Sequence, residues 1–183
     1  MREFLKKLSV VIASCSVLIF SAACGCSINE NASTDSDTNK EEKKIYSVGE
    51  AISMKNAEGE ERFKVTVDSV SLTDERNQYT EKAPAQVIII KYTYENVGSR
   101  SDVYYPSTCL KVTDEKGNEC DKYPLSLNAY PKSISKGEKC TAKSAFGIEE
   151  PSTKVTISLK DSVLDAYSGD DAIVEADIAE KEK

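Results

Sequence analysis

The chain has no histidine and no tryptophan among its 183 residues. Lack of histidine removes the Ser-His-Asp and Cys-His machineries and the commonest zinc ligand. Lack of tryptophan weakens a carbohydrate-binding reading. Basic charge is in short supply, with 24 Lys and Arg against 31 Asp and Glu, a net −7. A nucleic-acid face needs clustered Lys and Arg, so no nucleic-acid partner is expected. No Gly-rich phosphate loop and no metal-ligand cluster appears, so no cofactor and no catalytic residue is assigned. Long apolar runs are missing too. Leu8 to Phe20 is thirteen residues without a charge, about 20 Å as a helix at ~1.5 Å per residue. That is short of the ~30 Å bilayer core.

What is present begins with a positive start, Arg2, Lys6 and Lys7, followed by that apolar run and by small residues at Ser21-Ala22-Ala23. This is the pattern of a secretory signal peptide over residues 1–23. Small residues followed at once by Cys24 resemble the lipobox of bacterial lipoproteins, whose cysteine carries a diacylglyceryl group and becomes the mature N-terminus. The class usually has Leu where this chain has Ser21. Reading Ala23-Cys24-Gly25-Cys26 as the lipobox moves the anchor to Cys26, and an ordinary signal peptide is the third reading. Two acyl chains at ~0.8 kcal/mol per buried methylene make a durable anchor where one is marginal. The expected location is therefore the extracytoplasmic face of a cell membrane, with the lipid bilayer as a partner through Cys24.

Removal of residues 1–23 takes away three basic residues and Glu3, leaving 21 basic and 30 acidic residues, net −9. Such a surface is repelled by anionic lipid headgroups, so the acyl chains would hold it to the membrane. Residues 24–44 comprise the anchor cysteine and a tether. Residues 27–44 hold one large aliphatic side chain, Ile28, and too little apolar surface to offset ordering entropy. As a coil their ends would lie ~23 Å apart.

From Ile45 the pattern changes to period two. In RFKVTVDSVSL, residues 62–72, Phe63, Val65 and Val67 alternate with polar residues, and the phase resumes at Val70 and Leu72. The slip across Asp68-Ser69 predicts a β-bulge or a bend. In QVIIIKYTYENVG, residues 86–98, Ile88, Ile90, Tyr92 and Tyr94 share one face, with Val87 and Ile89 on the other. That strand is expected to be covered on both sides in its first half and to end at Asn96-Val97-Gly98. Residues 107–120 read as a hairpin turning around Asp114 to Asn118, with Leu110 and Val112 inward. KCTAKSAFGI and KVTISLK, residues 139–148 and 154–160, add two strands. IVEADI, residues 173–178, reads as a last edge strand. About seven short strands without a helical stripe predict an all-β antiparallel sandwich over residues 45–179, followed by a frayed tail at 180–183.

The same strings resemble the telokin-like, immunoglobulin-fold domain of unknown function, common on lipoproteins of Gram-positive bacteria and related to an immunoprotective extracellular mycobacterial domain. The matching features are the apolar strand ending in Asn96 and Gly98, the Asp114 to Gly117 hairpin, and the Gly137-Glu138 turn before a strand ending in Phe146. They span roughly residues 48–160. The chain departs from the pattern at Lys136, where the family often has Pro, and in its cysteines at 109, 120 and 140. The resemblance implies an immunoglobulin-like fold and a surface location, and carries no activity or site to transfer.

With Cys24 lipidated, Cys26, Cys109, Cys120 and Cys140 remain, and four thiols allow three full pairings. Strand phase turns Cys120 and Cys140 inward and Cys109 outward, so Cys120–Cys140 is the preferred disulfide, worth roughly 3 kcal/mol on the chain-entropy model. The alternative is that all three are small buried hydrophobes. Tyr104 and Tyr105 are adjacent, so on a strand one must face outward, and the pair is the candidate exposed aromatic contact for a protein or sugar. Asp114-Glu115 and Asp170-Asp171 are acidic turns with a weak calcium pattern. The expected role is a non-catalytic binding module for an envelope protein or glycan. The rivals are a calcium- or carbohydrate-binding envelope domain and a small secreted hydrolase.

Overall fold

A computed structural model describes residues 44–56, 58–80, 83–160 and 172–181. Nine strands appear among them. They are β1 (Ile45–Ser47), β2 (Ala51–Lys55), β3 (Glu61–Thr73), β4 (Gln86–Asn96), β5 (Leu110–Asp114), β6 (Asp121–Lys122), β7 (Lys139–Ile148), β8 (Lys154–Leu159) and β9 (Ala172–Asp177). They form a four-stranded sheet in the order β1-β9-β8-β5 and a five-stranded sheet in the order β2-β3-β4-β7-β6. The apolar faces of the two sheets share one core. The all-β sandwich read from the strand periodicity is therefore observed, with two strands more than expected. Both additions are short. β1 has three residues, and β2 offers only Ile52 and Met54 to the core.

β3 shows how one local irregularity serves two partners. Its register against β4 shifts between Val67 and Ser69, leaving Asp68 as the extra residue of a bulge. Before the bulge, β3 pairs with β2 up to Thr66. Beyond it, Val70 O and Leu72 N bond to Ala179, just past β9. The chain thus stitches the four-stranded sheet to the five-stranded one along this side. β9 itself is not an edge strand as expected, because β1 lies parallel beside it, with Ile45 opposite Ile173. Three residues of edge strand too short to read from periodicity change that assignment.

β4 is covered on both faces, as its two-sided apolar pattern requires. Ile88, Ile90, Tyr92 and Tyr94 are wholly buried in the main core. Val87 lies under Tyr123 and Ala145 in a second, smaller cluster, with Ile89, Leu125 and Leu127 packed against it. The covering segment is pinned by Tyr123, whose hydroxyl accepts the Asn77 N–H at 2.9 Å.

The 107–120 hairpin is half right. Its turn forms, with Gly117 at φ 85° and Cys120 N donating to Val112 O at 2.8 Å. Its arms then part, β5 pairing with β8 and β6 pairing with β7 in the other sheet. The hairpin is a corner between sheets. Cys109 also departs from expectation. It is buried, not outward, because Ser107–Cys109 is a short 3-10 turn that breaks the strand phase before Leu110.

Candidate functional site

The sandwich spends its tyrosines on holding its own loops. Tyr105, on the connection between β4 and β5, sits at the hub of an aromatic cluster. Its ring centroid lies 5.6 Å from Phe63, 6.2 Å from Tyr92 and 6.0 Å from Tyr94. Each buried phenol reaches a loop backbone, as burial of a hydroxyl demands. Tyr92 donates to Tyr105 O at 3.2 Å, and Tyr105 donates to Lys160 O at 2.8 Å. Tyr94 donates to Lys132 O and accepts Lys132 N–H at 2.8 Å. Burial pushes the Tyr92 and Tyr94 hydroxyls well above the usual tyrosine range, so neither serves as an acid or base near neutrality.

The expected pair of exposed aromatics is accordingly corrected. Tyr105 is 1% exposed, whereas its neighbour Tyr104 is 57% exposed. Tyr104 points out beside Val103, which is bridged to Ile134. Tyr130, also exposed, lies a few residues before that bridge on the opposite segment.

The residues that carry the family resemblance are structural fasteners. Asn96 is fully buried, and its Oδ1 accepts Ser99 N–H while its Nδ2 donates to Ser101 O at 3.1 Å. Its backbone exchanges bonds with the 137–138 turn, Asn96 N to Glu138 O and Gly137 N to Asn96 O. Gly98 lies so close to β3 that no side chain fits. Asp114 is saturated within its own turn. Its Oδ1 accepts the Lys116 and Asn118 N–H groups at 2.9 and 2.8 Å, and its Oδ2 accepts Asn118 Nδ2 at 2.9 Å. Those bonds, led by the Asn118 side chain, hold its carboxyl below the usual range. Glu115 accepts from Thr153. The calcium reading of this turn thus meets carboxylates already engaged. Asp170-Asp171, like Cys24 and Cys26, lies outside the described residues.

The preferred Cys120–Cys140 disulfide is overturned. Both thiols are free and buried. Asp121 pairs with Gly147, while Cys140 pairs with Tyr94 near the other end of β7. Seven strand residues at ~3.3 Å each separate them by ~23 Å, against the ~7 Å Cα limit for a bridge. Inward phase was correct for both, but they face the same core from opposite ends of one strand. Burial, reinforced by the charges of Asp114, Asp121 and Glu119, pushes the Cys120 thiol up to about 11. Such a thiol is a poor nucleophile near neutrality. Alkylation of native protein at pH 7.5, followed by peptide mass spectrometry, should leave Cys120 and Cys140 unmodified. Both should react fully in guanidinium. A Cys120–Cys140 linked peptide would contradict the register.

Among the described residues a depression opens in the fork where β5 and β6 part. It has a volume of about 300 Å³ and is rimmed by Lys111, Glu119, Lys122 and Lys160, over a floor that includes Leu110 and Phe146. Sequence reading did not single out these lysines. They come from three separate strand ends, and nothing in their local spacing brings them together.

These features define the class of the protein as a two-sheet, all-β sandwich domain with tyrosine-pinned loops. Among solved structures the fold is similar to that of MPT63, a secreted protein from Mycobacterium tuberculosis. The TM-score is 0.54 at 15% identity, covering 75% of this chain and 98% of that one. It is also similar to YcdA of Bacillus subtilis, a candidate lipoprotein, with a TM-score of 0.53 at 10% identity over 69% of this chain and 38% of that one. The YjhA protein of Bacillus subtilis matches with a TM-score of 0.51 at 17% identity, over 72% and 99% of the two chains. At such identities the likeness is one of fold. No family model matches the sequence, and no curated protein sequence does either.

Proposed function

We propose that the chain is a bacterial cell-surface lipoprotein, anchored through acyl chains on Cys24, whose domain is a non-catalytic binding module of immunoglobulin-like type. The observation that carries this reading is the shared fold with a secreted protein and a candidate lipoprotein, joined to the signal-peptide and lipobox pattern ahead of the domain. Strand order supports the immunoglobulin-like assignment. The run β3-β4-β7-β6 facing β5-β8-β9 repeats the A-B-E-D against C-F-G arrangement of constant-type domains. In that comparison β1 and β2 are additions at the open side.

The non-catalytic part of the reading draws on where the polar side chains are used. Buried Asn96 and Asp114, and the hydroxyls of the core tyrosines, are taken up in turns and loop contacts. Exposed Tyr104 and Tyr130 on adjoining segments offer an outward aromatic face for an envelope protein, and a glycan would use the same face.

The test is in-cell crosslinking of the native and Cys24→Ala proteins after membrane fractionation, with mass spectrometry of what is captured. Native protein should partition with membranes and capture a recurrent envelope partner, and Cys24→Ala should be released and lose it. Membrane retention of the variant would refute the anchor. Capture of nothing above background by the retained native protein would refute the binding module.

A further inference from the structure

The 107–120 corner creates a site that its position in the fold explains. Cys120 N to Val112 O is the last rung before the arms separate into different sheets. Sheets packed face to face lie ~10 Å apart, so the fork must open, and the depression lies in it. Its charges are unevenly matched. Lys111 and Glu119 pair with each other at 3.1 Å. Lys122 and Lys160 form no ion pair with a carboxylate among the described residues, and Asp121 is the lining carboxylate left over.

Both lysines rise from fixed backbone. Lys122 lies on β6 opposite Phe146, and Lys160 N donates to Cys109 O at 2.9 Å while Lys160 O receives the Tyr105 hydroxyl. We propose that this fork is a binding site for a small anion bearing a carboxylate or phosphate group, held between the ammonium groups of Lys122 and Lys160. Lys122 is exposed along its length, and partial burial of its ammonium against the fork lowers it from the usual lysine range, offset in part by the nearby Cys109.

The shape argues for a small polar ligand and against an apolar one. Leu110, Val112 and Phe146 are each 4% exposed or less, so the floor presents little apolar surface. Affinity must come from charge-assisted hydrogen bonds, which ammonium groups make well to carboxylate or phosphate oxygens. A volume near 300 Å³ is at the lower end for ligand sites and suits one such group with a short body.

The experiment is a pair of titrations of the full chain in detergent, one with citrate and one with inorganic phosphate, at constant ionic strength. Thermal melting and lysine side-chain NMR shifts are read together. A saturable rise in melting temperature, with shifts at Lys122 and Lys160, is expected for at least one probe, and the two arms tell carboxylate from phosphate. Lys122→Met with Lys160→Met should weaken that binding by about tenfold or more. Lys55→Met with Lys136→Met, two exposed lysines elsewhere, should leave it unchanged. Lys122→Arg with Lys160→Arg keeps both charges and should retain binding, which guards against a folding defect in the methionine pair. Linear, non-saturating responses to both probes would overturn the site. So would equal weakening by the two methionine pairs, which would indicate a general charge effect.

Discussion

Gly98→Ala is expected to cost the domain about 3 kcal/mol or more, at the high end for a single added methyl group. The cause is distance, not backbone freedom. A Cβ at residue 98 would sit 2.0 Å from the carbonyl oxygen of Glu61 and 3.2 Å from its carbon. Both belong to backbone, so no side-chain rotation relieves the overlap. The approach is held by two bonds, Gly98 N to Arg62 O at 2.8 Å and Ser99 N to Arg62 O at 3.0 Å. Separating the chains would break them and pull on the Phe63–Asn96 pair at the end of β3 and β4. Asn96 would then lose register with Ser99 and the 137–138 turn. Urea denaturation of wild type and variant at matched conditions measures the loss. Gly117→Ala is the comparison, because open space surrounds that position and only its φ of +85° opposes a side chain. It should lose about 1–2 kcal/mol. A Gly98→Ala midpoint equal to wild type would show that the β3–β4 end rearranges at little cost.

Tyr105→Ala should be comparably severe, at about 3–5 kcal/mol for a large aromatic removed from a core. The ring touches Phe63, Tyr92 and Tyr94, so its loss opens a cavity at the centre of the aromatic cluster. It also strips Lys160 O of the Tyr105 hydroxyl. Tyr105→Phe separates the two contributions. It keeps the ring and removes the hydrogen bond, for an expected loss of about 1 kcal/mol. Tyr104→Ala, one residue away, should change stability by no more than ~0.5 kcal/mol, since its side chain is exposed. Its effect belongs in partner capture, where loss of crosslinking without loss of stability would mark Tyr104 as a contact. Equal destabilisation by Tyr104→Ala and Tyr105→Ala would contradict the burial of the pair.

Both substitutions touch places that sequence alone half revealed. Asn96 and Gly98 were legible as the end of a strand, because Asn and Gly are turn residues. That Gly98 is required follows only from where β3 runs. Tyr104 and Tyr105 were legible as a pair with opposite directions. Which one is inward depends on the Val103–Ile134 bridge, which sets the phase from 31 residues away in the chain.

The period-two alternation along β3, β4, β7 and β8 by itself determined an all-β sandwich, the inward residues of β3 and β4 and an irregularity across Asp68-Ser69, because side-chain direction in a strand is local geometry. Turn chemistry likewise determined the turn around Asp114 to Asn118. What only the tertiary structure decided is partnership. The arms of that hairpin join different sheets, β9 gains β1 at its edge, Cys120 and Cys140 lie toward opposite ends of β7, and Lys122 and Lys160 line one fork. Alternation says which way a residue points but not which strand stands beside it. That choice is made by burial summed over the whole core.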